Sequence, residues 1–231
     1  MKLILTCEHA GNKIPVEFRN LFPEGREVLE SHRGFDPGAF DLFTHLKELS
    51  DFSHFQSTGR LLVEVNRSLH HPNLFSEFSK TLSLESKNQI LDQYYFPYRN
   101  EVENTIKDVL EKGVKVFHFS IHSFTPELNG VMRNADIGLL YDPARQEEKK
   151  ISAALKEQLL KSNLKLKVKY NYPYLGKADG FTTWLRKQFP IDYVGIELEV
   201  NQKLVSGNKM EVAVKYSIFD ALKSVLETQK L

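Results

Sequence analysis

Cysteine is almost absent from this chain. Cys7 is the single one in 231 residues, which excludes an intramolecular disulfide framework and any CxxC redox or zinc motif. Net charge is almost absent too: 31 basic against 30 acidic residues leave +1, so neither the basic footprint of a nucleic-acid binder nor a polyacidic tail is present. No apolar stretch approaches the roughly 20 residues of a membrane span. The N-terminal run Lys2 to Thr6 is broken by Cys7-Glu8-His9 before it reaches the length of a signal-peptide core. The helix-borne zinc motif HExxH is missing, as are internal repeats, low-complexity tracts and composition breaks. A soluble cytoplasmic protein with residues 1–231 as one domain is therefore expected, long enough to bury a substantial core.

What is present is an alternation of strand and helix patterns. Lys2 to Thr6 (KLILT) and Val114 to Ile121 (VKVFHFSI) are short β-branched and aromatic runs of the kind that form buried strands. Further strands are expected at Leu61 to Val65, Ile137 to Tyr141, Leu164 to Tyr170 with its lysines alternating outward, and Tyr193 to Val200. Helical spacing appears at Asp36 to Leu49, Gln146 to Leu160, Thr182 to Gln188 and Glu211 to Leu226. Lys87 to Lys112 carries two helical patterns interrupted at Pro97, where a kink or break is expected. This order predicts an α/β protein: a three-layer α/β/α arrangement around a mixed, mainly parallel central sheet.

Two histidines fall where strands run out, in Cys7-Glu8-His9-Ala10-Gly11-Asn12 and His122-Ser123-Phe124-Thr125-Pro126. In open α/β sheets ligands gather at the carboxyl ends of strands. With Asp36 of His32-Arg33-Gly34-Phe35-Asp36-Pro37-Gly38 as third donor, His9 and His122 suggest a two-histidine, one-carboxylate zinc site that leaves a position for water. Blander readings compete: Asp36 as a carboxylate at a helix N-terminus, Cys7 as a small buried side chain, and His118, which shares a strand face with Ser120 and His122, as a hydrogen-bonded core histidine. For His118 that bland reading is preferred.

A second constellation suits anion recognition and proton transfer. Arg60 precedes Leu61 to Val65 and the pair Asn66-Arg67 follows it; arginine is the side chain adapted to bidentate carboxylate binding. Glu197 and Glu199 share one face of an otherwise apolar strand, which is costly unless they are paired or useful. One of them could serve as a general base and the other as a partner of arginine or histidine.

Taken in order, these blocks resemble the N-formylglutamate amidohydrolases, zinc-dependent amide hydrolases with the phosphorylase/hydrolase-like fold of zinc carboxypeptidases and aspartoacylases. The resemblance runs from Cys7 to Pro15 through His32 to Asp36, Arg60 to Arg67, Tyr95 to Arg99, His122 to Pro126, Arg133 to Asp142 and Ile196 to Asn201. It implies His9, Asp36 and His122 as metal ligands, Asn66 and Arg67 as readers of a substrate carboxylate, and Glu199 as the carboxylate assisting hydrolysis. Arg60 or Arg67 would stabilise the oxyanion, Glu197 would support the base, and Arg133 is a further candidate for substrate binding. The implied substrate is a small anionic N-acyl amino acid such as N-formylglutamate. A carboxypeptidase or other deacylase, and a binding relative without turnover, are the alternatives. The chain departs from the family pattern at Glu8-His9-Ala10-Gly11, where Pro-His-Ser-Gly is usual, and at Glu64, where aspartate is usual.

Overall fold

A computed structural model describes residues 1–22, 26–161 and 165–228. Its centre is a six-stranded sheet in the order β2-β1-β3-β8-β6-β7, built from β1 (Lys2–Cys7), β2 (Phe52–Phe55), β3 (Val116–Phe124), β6 (Ile137–Leu140), β7 (Val168–Tyr170) and β8 (Tyr193–Asn201). Every pairing is parallel except β6 with β8, so the sheet is mixed and mainly parallel. Two small hairpins, β4 (Glu127–Leu128) with β5 (Val131–Met132) and β9 (Val205–Ser206) with β10 (Lys209–Met210), lie outside it.

Both faces of the sheet are covered, which is why all nine residues of β3 are buried although its side chains alternate between apolar and polar from Phe117 to His122. On one face Leu3, Leu5, Phe117, Phe119, Ile196 and Leu198 pack with α2 (Ala39–Leu46), α5 (Gln146–Lys161) and α7 (Val212–Thr228). On the other, Ile4, Val116 and Tyr193 meet α4 (Phe96–Glu111), α6 (Phe181–Gln188) and the buried segment around Leu62 and Val63. The short helices α1 (Arg26–Leu29) and α3 (Leu84–Ile90) complete the described elements of that type. Truncating a fully buried ring such as Phe117 to alanine would cost about 3–5 kcal/mol.

Several expectations are refined by this architecture. The run Leu61 to Val65 is not a strand; the edge strand is Phe52–Phe55 instead. Residues 61–65 fold as consecutive turns, with Leu62 N–H donating to Gly59 O, Glu64 N–H to Leu74 O and Arg67 N–H to Glu64 O. Leu61, Leu62, Val63 and Val65 are buried all the same, and an apolar run that short carries no period to tell a strand from a packed turn. At Pro97 the helix is not broken. A wider π-type turn over Leu91–Tyr95 joins α3 to α4 and leaves the proline in the first turn of α4, where its missing N–H is harmless. Leu164 lies outside the described residues, and within them the strand expected from it is Val168–Tyr170, with Lys165, Lys167 and Lys169 exposed.

Two glycines shape the site's surroundings. Gly38 has φ +79° and caps the start of α2, so that Asp36 precedes the helix rather than entering it. At Gly138 a Cβ would stand 1.8 Å from the Tyr172 carbonyl oxygen, so only glycine lets the segment after β7 close down onto β6.

Between the layers His118 is buried, with Nε2 2.7 Å from Thr6 Oγ1 and Nδ1 2.7 Å from the Tyr193 hydroxyl. It is a satisfied core histidine, and burial pushes its pKa down to about 4 from the ordinary 6.5. The unfolded chain therefore takes up a proton between those values that the folded one refuses, and stability is lost as pH falls from about 6.5 to about 4. Denaturant titrations of the parent and of His118→Gln across that range should show the parent losing on the order of 3 kcal/mol more than the variant. Equal slopes would mean that His118 does not titrate in this way.

Candidate metal centre and active site

The site forms where β1, β3 and β8 end. After β1 the chain turns at Glu8-His9, and the His9 carbonyl accepts the Asp36 N–H at 3.1 Å, tying the two segments at their backbones. The Asp36 carboxylate makes no helix cap, contrary to the bland reading of it. Its Oδ2 lies 3.2 Å from His9 Nδ1 and 3.0 Å from His122 Nδ1, and also accepts the Ser123 N–H at 3.3 Å. All three side chains are buried, and one donor atom from each falls within 4.8 Å of the others.

The outer edges of both imidazoles show whether this cluster suits a cation. His9 Nε2 is 2.6 Å from Glu64 Oε1, and His122 Nε2 is 3.1 Å from Glu8 Oε2 and 2.9 Å from Ser120 Oγ. With a cation between the rings, the buried carboxylate behind each would hold the N–H outward and leave Nδ1 to the metal, the usual support for a metal-binding histidine. Glu8 is itself held by Tyr98 Oη at 2.9 Å and Ser120 Oγ at 2.5 Å. Glu64 receives Arg60 Nε at 2.7 Å and Nη2 at 2.5 Å, while Arg60 Nη1 reaches Asp36 Oδ1 at 3.2 Å. Of these three buried carboxylates Asp36 and Glu64 share one guanidinium and Glu8 has none among the described residues, and the negative charge left over is what a divalent cation between the histidines would balance. The donor set fits a metal.

The electrostatics follow from these contacts. Burial alone would raise all three carboxylates, yet the ring contacts of His122 on Glu8, of His9 and His122 on Asp36, and the Arg60 charge on Glu64 hold them well below the usual range. His122, which burial would push down, is instead raised well above its ordinary value by Asp36 and Glu8. Glu199 goes the other way. Burial, reinforced by Asp36 and Glu197, pushes it up to about 8, and its Oε2 is buried without a hydrogen-bond partner. Cys7 sits in the core on the opposite face, where burial raises its thiol, and takes no part in the cluster.

A cavity of about 150 Å³ opens onto this cluster. His9, Asp36, His122, Arg60, Asn66, Arg67, Glu197 and Glu199 all line it, with Leu140, Tyr174, Leu175 and Ala178 as an apolar wall. Asn66 Oδ1 accepts the Phe181 N–H at 2.8 Å, and Arg67 donates one Nη1 hydrogen bond to the Asp179 carbonyl. Arg133 is not brought in: its guanidinium rests over the rings of Phe124 and Tyr174, 5.9 and 5.1 Å from their centroids, and Nη1 donates to Thr125 Oγ1. Sequence reasoning missed Glu8, Ser120 and Tyr98 as supports of His122. The signal for Glu8 lies in the pairing of β1 with β3, since the register Thr6 opposite Ser120, continued two residues, brings Glu8 level with His122.

No curated protein matches the chain. Among solved structures, a gene product of Agrobacterium tumefaciens is similar at 24% identity and TM-score 0.85, with 100% of this chain and 92% of that one covered. An N-formylglutamate amidohydrolase from Ralstonia eutropha is similar at 13% identity and TM-score 0.75, with 100% and 94% covered. At those identities the likeness carries the fold, which is shared over the whole chain. The sequence profile of N-formylglutamate amidohydrolase matches residues 1–206, the span that contains every side chain of the cluster and cavity described above. The chain belongs to the N-formylglutamate amidohydrolase family of amide-bond hydrolases.

Proposed function

We propose that the protein is a zinc-dependent amidohydrolase that cleaves the amide of a small N-acyl amino acid, of the type for which the family is named, to the free amino acid and a carboxylic acid. The observation that carries this reading is the meeting of His9 Nδ1, Asp36 Oδ2 and His122 Nδ1 in one cavity with the unpartnered Oε2 of Glu199. Two imidazoles and one carboxylate suit zinc, with room left for exchangeable ligands. Such an ion supplies Lewis acidity towards the amide carbonyl and towards water.

The chain's own residues supply the rest. Glu199 takes the proton from the attacking water at Oε2 and returns it to the leaving amine nitrogen, a task suited to a carboxylate whose burial favours the protonated form. Glu197, two residues earlier on the same face of β8, borders the same cavity. Arg60 holds Asp36 and Glu64 in place, and its guanidinium lines the cavity where the oxyanion develops. Arg67 and Asn66 orient the α-carboxylate of the substrate. If the acyl group is formyl, the acid released is formate. No described helix is long and apolar enough to cross a membrane, and with a lone buried cysteine we place the enzyme in the cytoplasm.

Three measurements test this reading. Elemental analysis of protein purified without chelator should find about one zinc per chain, lost in His9→Ala and in His122→Ala. Stoichiometric zinc surviving in folded protein after both changes would remove the site. Glu199→Gln should keep its metal but lower turnover of N-acyl amino acids roughly 10²–10⁴-fold, with Glu197→Gln less affected; the reverse order would exchange their roles. Arg67→Lys should lose roughly ten- to a hundredfold of the preference for N-acyl amino acids over their α-carboxamides, and undiminished discrimination would move the reader of the carboxylate elsewhere.

A further inference from the structure

We propose that a second cavity, beside the segment that carries Asn66 and Arg67, binds a free α-amino acid with an apolar side chain, its carboxylate in the fork of Arg99 and its ammonium on Glu103. This goes beyond the amidohydrolase reading and does not depend on it.

The chain's own arginines lead to this. Nε and Nη2 of a guanidinium form a fork of two parallel N–H groups that suits a carboxylate. Arg60 fills that fork with Glu64, at 2.7 and 2.5 Å. Arg186 fills it with Glu148 Oε1 and Gly195 O, both at 2.8 Å. Arg99 differs: Nη1 donates to Val65 O at 2.9 Å and Arg67 O at 3.3 Å, but Nε and Nη2 have no hydrogen-bond partner among the described residues. The residue is only 5% exposed and forms no ion pair among the described residues. Burial lowers its pKa, although Tyr95, Glu103, Glu8 and Asp179 pull the other way through space. Buried donors without acceptors are costly and therefore rare. The rings of Phe181, Tyr95 and Trp184 stand 4.2, 4.9 and 5.6 Å from its Cζ and hold the guanidinium in place, so the open fork is fixed in advance.

Arg99 lines a cavity of about 240 Å³. Glu103, one turn further along α4, lines it as well, and among the described residues its carboxylate accepts only Trp184 Nε1, at 3.2 Å. Residues four apart on a helix are neighbours, yet Arg99 and Glu103 form no ion pair. A guanidinium and a carboxylate thus border one space without being joined across it. An α-amino acid joins them, because its carboxylate and its ammonium stand on a single carbon atom. A phosphate or a dicarboxylate fits worse, since Glu103 repels the additional negative charge. Leu69, Phe96 and Trp184 make the apolar part of the wall, with Leu69 and Trp184 45% and 40% exposed. Such a wall suits an aliphatic side chain.

Trp184 is the single tryptophan of the chain, and it lines this cavity and not the one at the metal-suited cluster, so its fluorescence reports on the proposed site. Four probes are titrated into the full chain and followed by fluorescence and calorimetry: leucine, isocaproate (leucine without its ammonium), isoamylamine (leucine without its carboxylate) and inorganic phosphate. Leucine should bind with saturation and at least about tenfold more tightly than each of the others, the loss expected for one charge-assisted contact. Glu103→Gln should weaken leucine at least about tenfold and leave isocaproate within about threefold, and Arg99→Lys, checked for folding by circular dichroism, should weaken both. Absence of saturable leucine binding overturns the proposal, as does equal binding by any of the other three probes. Leucine binding that Glu103→Gln leaves unchanged lies elsewhere, the catalytic cavity included, and overturns it too. Should Arg99→Lys fail to fold, the probe series and Glu103→Gln decide between these outcomes. No arm of the experiment involves turnover, so failure here leaves the amidohydrolase reading as it stands.

Discussion

One oxygen atom organises this site. Asp36 Oδ2 stands within hydrogen-bonding distance of the Nδ1 atoms of His9 and His122, from turns and strands 27 and 86 residues away in sequence. A buried carboxylate between two imidazoles is stable only if every other lone pair and proton around it is accounted for. The surrounding structure meets that requirement: Glu64 and Glu8 hold the outer ring nitrogens, Arg60 spans Glu64 and Asp36, and Tyr98 and Ser120 hold Glu8. Removing one partner would strand a charge in the interior, which is why so many of these positions are polar in an otherwise apolar layer.

The sheet explains how such a cluster is tolerated. On the face towards α4 and α6, β3 presents His118, Ser120 and His122 in succession, and β8 presents Glu197 and Glu199 opposite Ser120 and His122. The other face of the same strands is apolar from Phe117 to Ile121 and from Val194 to Val200. Polarity rises along this file from the satisfied contacts of His118 with Thr6 and Tyr193 to the unpartnered oxygen of Glu199 at the cavity. The completely satisfied end packs like a core, and the incompletely satisfied end is the one open to a ligand.

The cavity wall has a different origin. Its residues come from segments that follow strands or turns rather than from the sheet itself: Asn66 and Arg67 from the turns after Val63, and Tyr174, Leu175, Ala178 and Asp179 from the stretch between β7 and α6. Arg99 supports the first of these from α4, donating to the carbonyls of Val65 and Arg67, and the Tyr95 hydroxyl also donates to Arg67 O. Strand ends and the turns tied to them thus hold the metal-suited cluster, while further connecting segments shape what enters.

Much of this was legible in the residues. The apolar runs of β1, β3 and β8 and the helical spacing of α2, α5 and α7 determined a layered α/β fold, because period and length report burial directly. Histidines at the ends of two strands were enough to single out His9 and His122, and the turn before α2 to add Asp36. Composition could not tell that residues 61–65 form packed turns while Phe52–Phe55 supplies the edge strand, since a buried run of five is apolar in either conformation. Nor could it show that Glu8 and Glu64 stand behind the two imidazoles, that Arg60 is balanced by carboxylates while Arg67 is not, or that Arg133 rests on aromatic rings outside the cavity. Those facts depend on strand register and on which long side chain reaches which partner. Local sequence determines what each residue can do chemically; only the tertiary structure decides which charges are already paired and which are left for a ligand.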